Sequence, residues 1–195
     1  MKSIKNFYNK NIIKYSENYK KNGWGSKATQ TKRFEIFYEI GNLSNSKIID
    51  LGCGTADLKK FLKSKKIKFK YTGLENNEKM IDILKKNKIN YIKDSLFNLK
   101  KIKSNSYDYV FMSGAVNLPT KNHKKKIVEL IRNSHRISKK ATALNFLSTY
   151  SKKINENEFY FDPSMIFNVS KKLCSNVVLR HDYLPHDFTI ILYKN

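Results

Sequence analysis

"KIIDLGCGTADL", residues Lys47 to Leu58, is the stretch on which the fold turns. Ile48 and Ile49 lead into the acid Asp50. Gly52 and Gly54 follow with Cys53 between them, and Thr55-Ala56-Asp57-Leu58 can open a helix. Strand, glycine turn and helix in that order let an α/β sheet hold a nucleotide-like ligand beyond the carboxyl end of its first strand. A dinucleotide site asks for a further glycine, with the pyrophosphate on the helix N-terminus. Here Asp57 stands at that place, and its carboxylate repels a pyrophosphate. Asp50 adds a second acid at the strand tip. The turn suits a ligand without phosphates that carries positive charge.

Outward from that stretch, apolar runs recur at regular intervals. Strands are expected at 47–51, 69–74, 90–94, 107–112, 142–147, 175–180 and 188–193. Helices are expected at about 55–65, 77–87, 121–138 and 163–174, and two more precede the first strand, in "NFYNKNIIKYSENY" and "SKATQTKRFEIFYEIGNL". Strands alternating with helices predict a mostly parallel sheet covered on both faces. The last two strands are separated only by "HDYLPHD", too short for a helical crossover, so they pair antiparallel. The expected fold is α/β: a Rossmann-like, seven-stranded, mostly parallel sheet with an antiparallel C-terminal hairpin strand. Residues 1–45 are expected to form an N-terminal helical cap and residues 46–195 the core.

The totals agree with a single globular domain: 195 residues, 40% hydrophobic and 13% aromatic. No apolar run is long enough to span a bilayer. Cys53 and Cys174 show neither a pairing pattern nor metal-ligand spacing, and no metal site is expected. With no apolar signal region at the N-terminus, a reduced cytoplasmic protein is expected. The net charge of +23 invites a nucleic-acid partner. Against it, arginine occurs only at positions 33, 132, 136 and 180, and the lysines are spread along the whole chain rather than clustered.

S-adenosyl-L-methionine is a phosphate-free nucleoside carrying a sulfonium and an ammonium. At "DLGCGTA" the sequence resembles the first motif of the class I S-adenosylmethionine-dependent methyltransferases, with Ala56 in the third glycine position. "YTGLE" resembles the segment whose final acid bonds the ribose hydroxyls, here Glu75, followed by Asn76. "YIKDS" puts Asp94 and Ser95 where the family contacts the adenine edge. "YDYVFMSGAVNLP" resembles the fourth motif, with Ser113 beneath the methionine part. The resemblance covers about residues 46–195. "GWGSKATQTKRFEIFYEIGNL" extends it toward a group of small bacterial methyltransferases, and there implies Arg33 at the cofactor carboxylate, with Trp24 and Gln30 nearby. The implied cofactor-binding set is Arg33, Asp50, Gly52, Cys53, Gly54, Glu75, Asn76, Asp94, Ser95 and Ser113.

Each of these residues has a plainer reading. The glycines serve any tight turn, Glu75 complements a helix dipole, Arg33 belongs on the surface of an amphipathic helix, and Cys53 is a small filler. Asp108 is expected to shape the turn before its strand, and His123 and His135 to lie on the surface. His181 and His186, beside Asp182 and Asp187 on the hairpin, are the candidates for accepting a proton from a substrate. Asn117 is a candidate substrate contact, and the aromatic segment "STYSKKINENEFYFDP" a candidate lid. No Asn/Asp-Pro-Pro-aromatic sequence follows the fourth strand, so methylation of flipped bases is not supported. The expected activity is methyl transfer to an oxygen or nitrogen of a small-molecule or sugar-like acceptor. The alternatives are an RNA or ribosome-associated methyltransferase and a noncatalytic cofactor-binding regulator.

Overall fold

In a computed structural model, which describes residues 2–194, the chain forms α1 (Lys2–Lys14), α2 (Asn18–Lys21), α3 (Lys27–Tyr38), β1 (Ser46–Leu51), α4 (Asp57–Ser64), β2 (Phe69–Glu75), α5 (Glu78–Lys86), β3 (Tyr91–Lys93), β4 (Tyr107–Ser113), α6 (His123–Ile137), β5 (Ser138–Leu147), α7 (Pro163–Lys171), β6 (Val177–Leu184) and β7 (Asp187–Tyr193). The strands make one sheet in the order β3-β2-β1-β4-β5-β7-β6. The first five run parallel, β7 is antiparallel to β5, and β6 is antiparallel to β7. Strand order reverses between β1 and β4, which leaves a crevice beyond their carboxyl ends.

Side-chain alternation along the strands assigns each residue to a face. Ile49, Val110, Met112, Leu144, Phe146 and Ile190 pack against Ile127, Leu130 and Ile131 of α6 and Ile166 of α7. On the other face Ile48, Tyr109, Phe111, Ala143 and Ile191 meet Phe34 and Phe37 of α3 and Leu58 and Leu62 of α4. Phe37 stacks on Phe111 with ring centroids 4.9 Å apart. The helix α3 therefore belongs to the sheet's covering layer, while α1, α2 and the link to α3 lie over the crevice together with Gln30 and Phe34 of α3. Helix starts follow ordinary capping chemistry: Ser26, Asn77 and Asp162 each accept an N–H from the first turn of the helix they precede.

The hairpin differs from its expected form. Strand β6 continues through His181, Asp182 and Tyr183 to Leu184, so the turn is only Pro185-His186. As a half-buried edge strand β6 tolerates polar residues, and Arg180 and Asp182 satisfy each other two positions apart at 2.8 and 2.9 Å. Asp108 accepts the backbone N–H of Lys47 at 2.7 Å and fastens the start of β4 to β1.

Candidate functional site

A cavity of about 500 Å³ opens at the β1/β4 crevice, within the range of roughly 300–1,000 Å³ typical of small-molecule sites. Its floor is the glycine turn. Gly52 (φ +70°) and Gly54 (φ +52°) lie in the left-handed region, where a side chain is disfavoured. A Cβ on Gly52 would lie 2.5 Å from the Cβ of Ala115, and one on Gly54 would lie 2.3 Å from Oδ1 of Asn22. Cys53 turns away to fill the space above Gly73, where a Cβ would meet its Sγ at 2.4 Å. Burial and the neighbouring Asp50 and Glu75 carboxylates push the Cys53 thiol well above its ordinary range.

Two strand tips supply the acids. Asp50 is buried and accepts the Tyr71 hydroxyl at 2.7 Å. Burial pushes its carboxyl up to about 7, with the Tyr71 hydrogen bond opposing. Glu75 accepts the backbone N–H of Gly54 at 2.9 Å on one oxygen, and those of Asn76 and Asn77 at 2.8 and 2.9 Å on the other. Burial raises its carboxyl and these three donors oppose the rise. Asp94 is half-buried and accepts both the Ser95 N–H at 2.7 Å and the Asn98 amide at 3.0 Å, which hold it below the usual carboxylate range. Asp50, Gly52, Cys53, Gly54, Glu75, Asn76, Asp94, Ser95 and Ser113 all line this one cavity.

Arg33 does not. It is 3% exposed, its Nη2 pairs with the buried Asp187, and its guanidinium lies over the Trp24 ring, 4.4 Å from the centroid. Trp24, itself part of the cavity wall, packs so closely on Gly114 that a Cβ there would come within 2.3 Å of the ring. Arg33 thus stands behind the wall and is committed to the hairpin.

His181 and His186 also lie away from the cavity, because the sheet order puts the hairpin beyond β5, at the opposite side of the sheet from β2 and β3. His181 sits between the rings of Tyr150 and Phe188, and His186 Nε2 faces Asp187 at 3.3 Å. His123 is buried, not on the surface: its ring contacts the Val116 carbonyl at 3.0 Å and the Thr120 hydroxyl at 3.2 Å. His135 is half-buried, and burial lowers its pKa to about 4. The segment after β5 is not an aromatic lid. Phe161 enters the core and Tyr150 is 66% exposed, while Glu158 lines the cavity.

The N-terminal segment closes the other side through contacts that single residue types do not announce. Asp57 receives amide N–H groups from Asn18 (3.1 Å), Asn22 (3.2 Å) and Gln30 (3.3 Å). Asn22 also exchanges hydrogen bonds with Thr55, at 2.9 and 3.2 Å. This network lays Trp24 and the Tyr8 side of α1 over the cavity. The only hint in the sequence is asparagine clustered near an aromatic-rich helix. Among the described residues there is no cluster of three or more His, Cys, Asp or Glu able to hold a metal ion, and no helix is long and apolar enough to cross a membrane.

Residues 48–140 match the family described as the methyltransferase domain. The chain is 27% identical over 157 residues to the methyltransferase-like protein Rv1506c of Mycobacterium tuberculosis, covering 75% of this chain and 92% of that one. Among solved structures it is similar to an S-adenosylmethionine-dependent methyltransferase from Archaeoglobus fulgidus, with a TM-score of 0.70 and 17% identity over 87% of this chain and 95% of that chain. It is also similar to the magnesium protoporphyrin IX methyltransferase of Synechocystis solved with bound S-adenosylhomocysteine, with a TM-score of 0.68 and 13% identity over 100% of this chain and 99% of that chain. At these identities the structural likeness speaks for the fold.

Proposed function

The chain belongs to the class I S-adenosylmethionine-dependent methyltransferases, and from that premise we propose that it methylates an oxygen or nitrogen of a small-molecule acceptor seated in the β1/β4 cavity. The observation that supports this reading is the convergence of Asp50 and Glu75 on one enclosed space floored by left-handed glycines. The residues present fit the cofactor. Gly52 and Gly54 bring the turn's backbone to the cavity floor without side chains of their own, and the strand-tip carboxylates favour a cation over a phosphate.

Glu75 would take the ribose hydroxyls with the lone pairs its three backbone donors leave free, and exposed Asn76 stands beside it. Asp94 and Ser95 would face the adenine edge, and the turn at Gly52 and Gly54, with Ser113, would take the methionine part. The cofactor supplies a methyl carbon already activated by sulfonium. What remains for the chain is to align an acceptor with that carbon and keep water out. Trp24, Tyr8 and Phe97 in the wall supply apolar cover for that purpose.

S-adenosylmethionine titrated calorimetrically into the wild type and the Glu75→Gln variant tests the site. The expected result is micromolar-class binding that weakens by roughly tenfold or more when the charge-assisted bonds are lost. Equal affinity in the variant refutes the role of Glu75.

A further inference from the structure

We propose that the acceptor is an amine with an apolar body, received as a cation by Glu158; this deepens the methyltransferase reading and rests on it. The cavity reverses the charge of the molecule that contains it. In a chain of 39 Lys and Arg against 16 Asp and Glu, the wall presents Asp50, Asp57, Glu75, Asp94 and Glu158 against Lys5 and Lys126. Four of these acids are held by groups around the cofactor half: Asp50 by Tyr71, Asp57 by three amides, Glu75 by three backbone N–H groups, and Asp94 by Asn98.

Glu158 is different. It is half-buried, accepts only the Tyr160 hydroxyl at 3.2 Å on one oxygen, and forms no ion pair among the described residues. A carboxylate at a cavity wall that stays unpaired in so basic a chain is available to an incoming cation.

Its placement is fixed. The N–H of Phe159 donates to the carbonyl of Asn117 at 2.7 Å, so Glu158 is tied to the loop after β4, whose Asn117 and Leu118 line the same cavity. Tyr8 feels both Glu75 and Glu158, and with burial these keep its phenol protonated. Phe7, Phe97 and Leu118 make the adjoining wall apolar or aromatic, suited to the body of the acceptor.

In the transfer, the ammonium gives one proton to Glu158, from which it passes to solvent. The freed nitrogen lone pair then forms the C–N bond as the C–S bond breaks, and that electron pair stays on sulfur. The products are a methylammonium cation and a neutral thioether.

Calorimetric titration of the full chain, saturated with S-adenosylhomocysteine, uses phenethylamine and hexylamine beside 2-phenylethanol, 1-hexanol and phenylacetate. At least one amine is expected to bind about tenfold or more tighter than its matched alcohol, and Glu158→Gln to remove that preference while S-adenosylhomocysteine still binds. Equal binding of alcohols, preferential binding of phenylacetate, an amine preference that survives Glu158→Gln, or no binding by either amine overturns the proposal. Failure of S-adenosylhomocysteine itself to bind the wild type overturns the methyltransferase site reading instead.

Discussion

Asp50 carries the sharpest single-residue consequence. Burial lifts its carboxyl from 3.8 to about 7. Between those values the folded protein keeps a proton that the unfolded chain has released. The stability tied to Asp50 is therefore complete below about pH 4 and is lost as pH rises through about 7. A cationic ligand beside Asp50 favours the carboxylate, so its binding releases a proton and tightens as pH rises toward 8, by at most roughly tenfold per unit below about 7. S-adenosylmethionine, with its sulfonium, is expected to show a steeper pH dependence than S-adenosylhomocysteine, and Asp50→Asn to flatten it. An unaltered slope in that variant removes Asp50 from the account. Gly54 is the second case. An alanine there meets Asn22 Oδ1 and must hold a φ of +52°. The expected cost is about 1–2 kcal/mol for the left-handed backbone, added to the loss of the Asn22–Thr55 contacts. Urea unfolding of Gly54→Ala and Asn22→Ala, alone and combined, is expected to show less than additive losses, because both break the same contact.

At the level of elements, α3 and β7 are joined by one buried ion pair across 154 residues of chain. Removing one partner strands the other charge in a place without water. Asp187→Asn is therefore expected to cost roughly 3–5 kcal/mol, while an apolar replacement of both Arg33 and Asp187 costs much less. A double-mutant cycle in urea reads this directly, and additive losses would show that the pair is not coupled. The same elements show what the sequence reveals. All seven strands are legible because runs such as Ile48-Ile49 and Thr189-Ile190-Ile191-Leu192 lie in a sheet covered on both faces. The meeting of Asp50, Gly52, Gly54 and Glu75 in one cavity is legible because strand tips and a glycine turn are local features. Arg33, His181 and His186 are not, because a polar residue's partner is chosen by tertiary packing. Asp187 claims Arg33, and the sheet order carries both histidines away from the crevice. Glu158 is not legible for the converse reason: it lies in a polar stretch, and tertiary contacts such as the Phe159–Asn117 hydrogen bond bring it to the cavity.

For the whole molecule the decisive quantity is a net charge of +23. Several of the described ion pairs are exposed contacts between residues close in sequence, such as Lys20–Glu17, Lys32–Glu35 and Lys85–Asp82, and contribute little each. They leave a large surplus of lysines repelling one another across the surface, which opposes the compact state. Raising sodium chloride from about 0.01 M to about 1 M shortens the Debye length from roughly 30 Å to 3 Å and screens that repulsion. The melting temperature is therefore expected to climb with salt and level off once the screening length falls below the spacing between neighbouring lysines. The buried Arg33–Asp187 pair lies under the surface and is screened far less, so the Asp187→Asn variant is expected to show the same climb from a lower start. A surface built to hold RNA would act differently. Transfer RNA would then raise the melting temperature at about 0.15 M salt well beyond an equal charge of polyphosphate, because a shaped site recognises more than charge. Equal effects of the two polyanions, both fading as salt rises, are expected for lysines dispersed along the chain, and a selective effect of RNA would move the acceptor from the small-molecule class to nucleic acid.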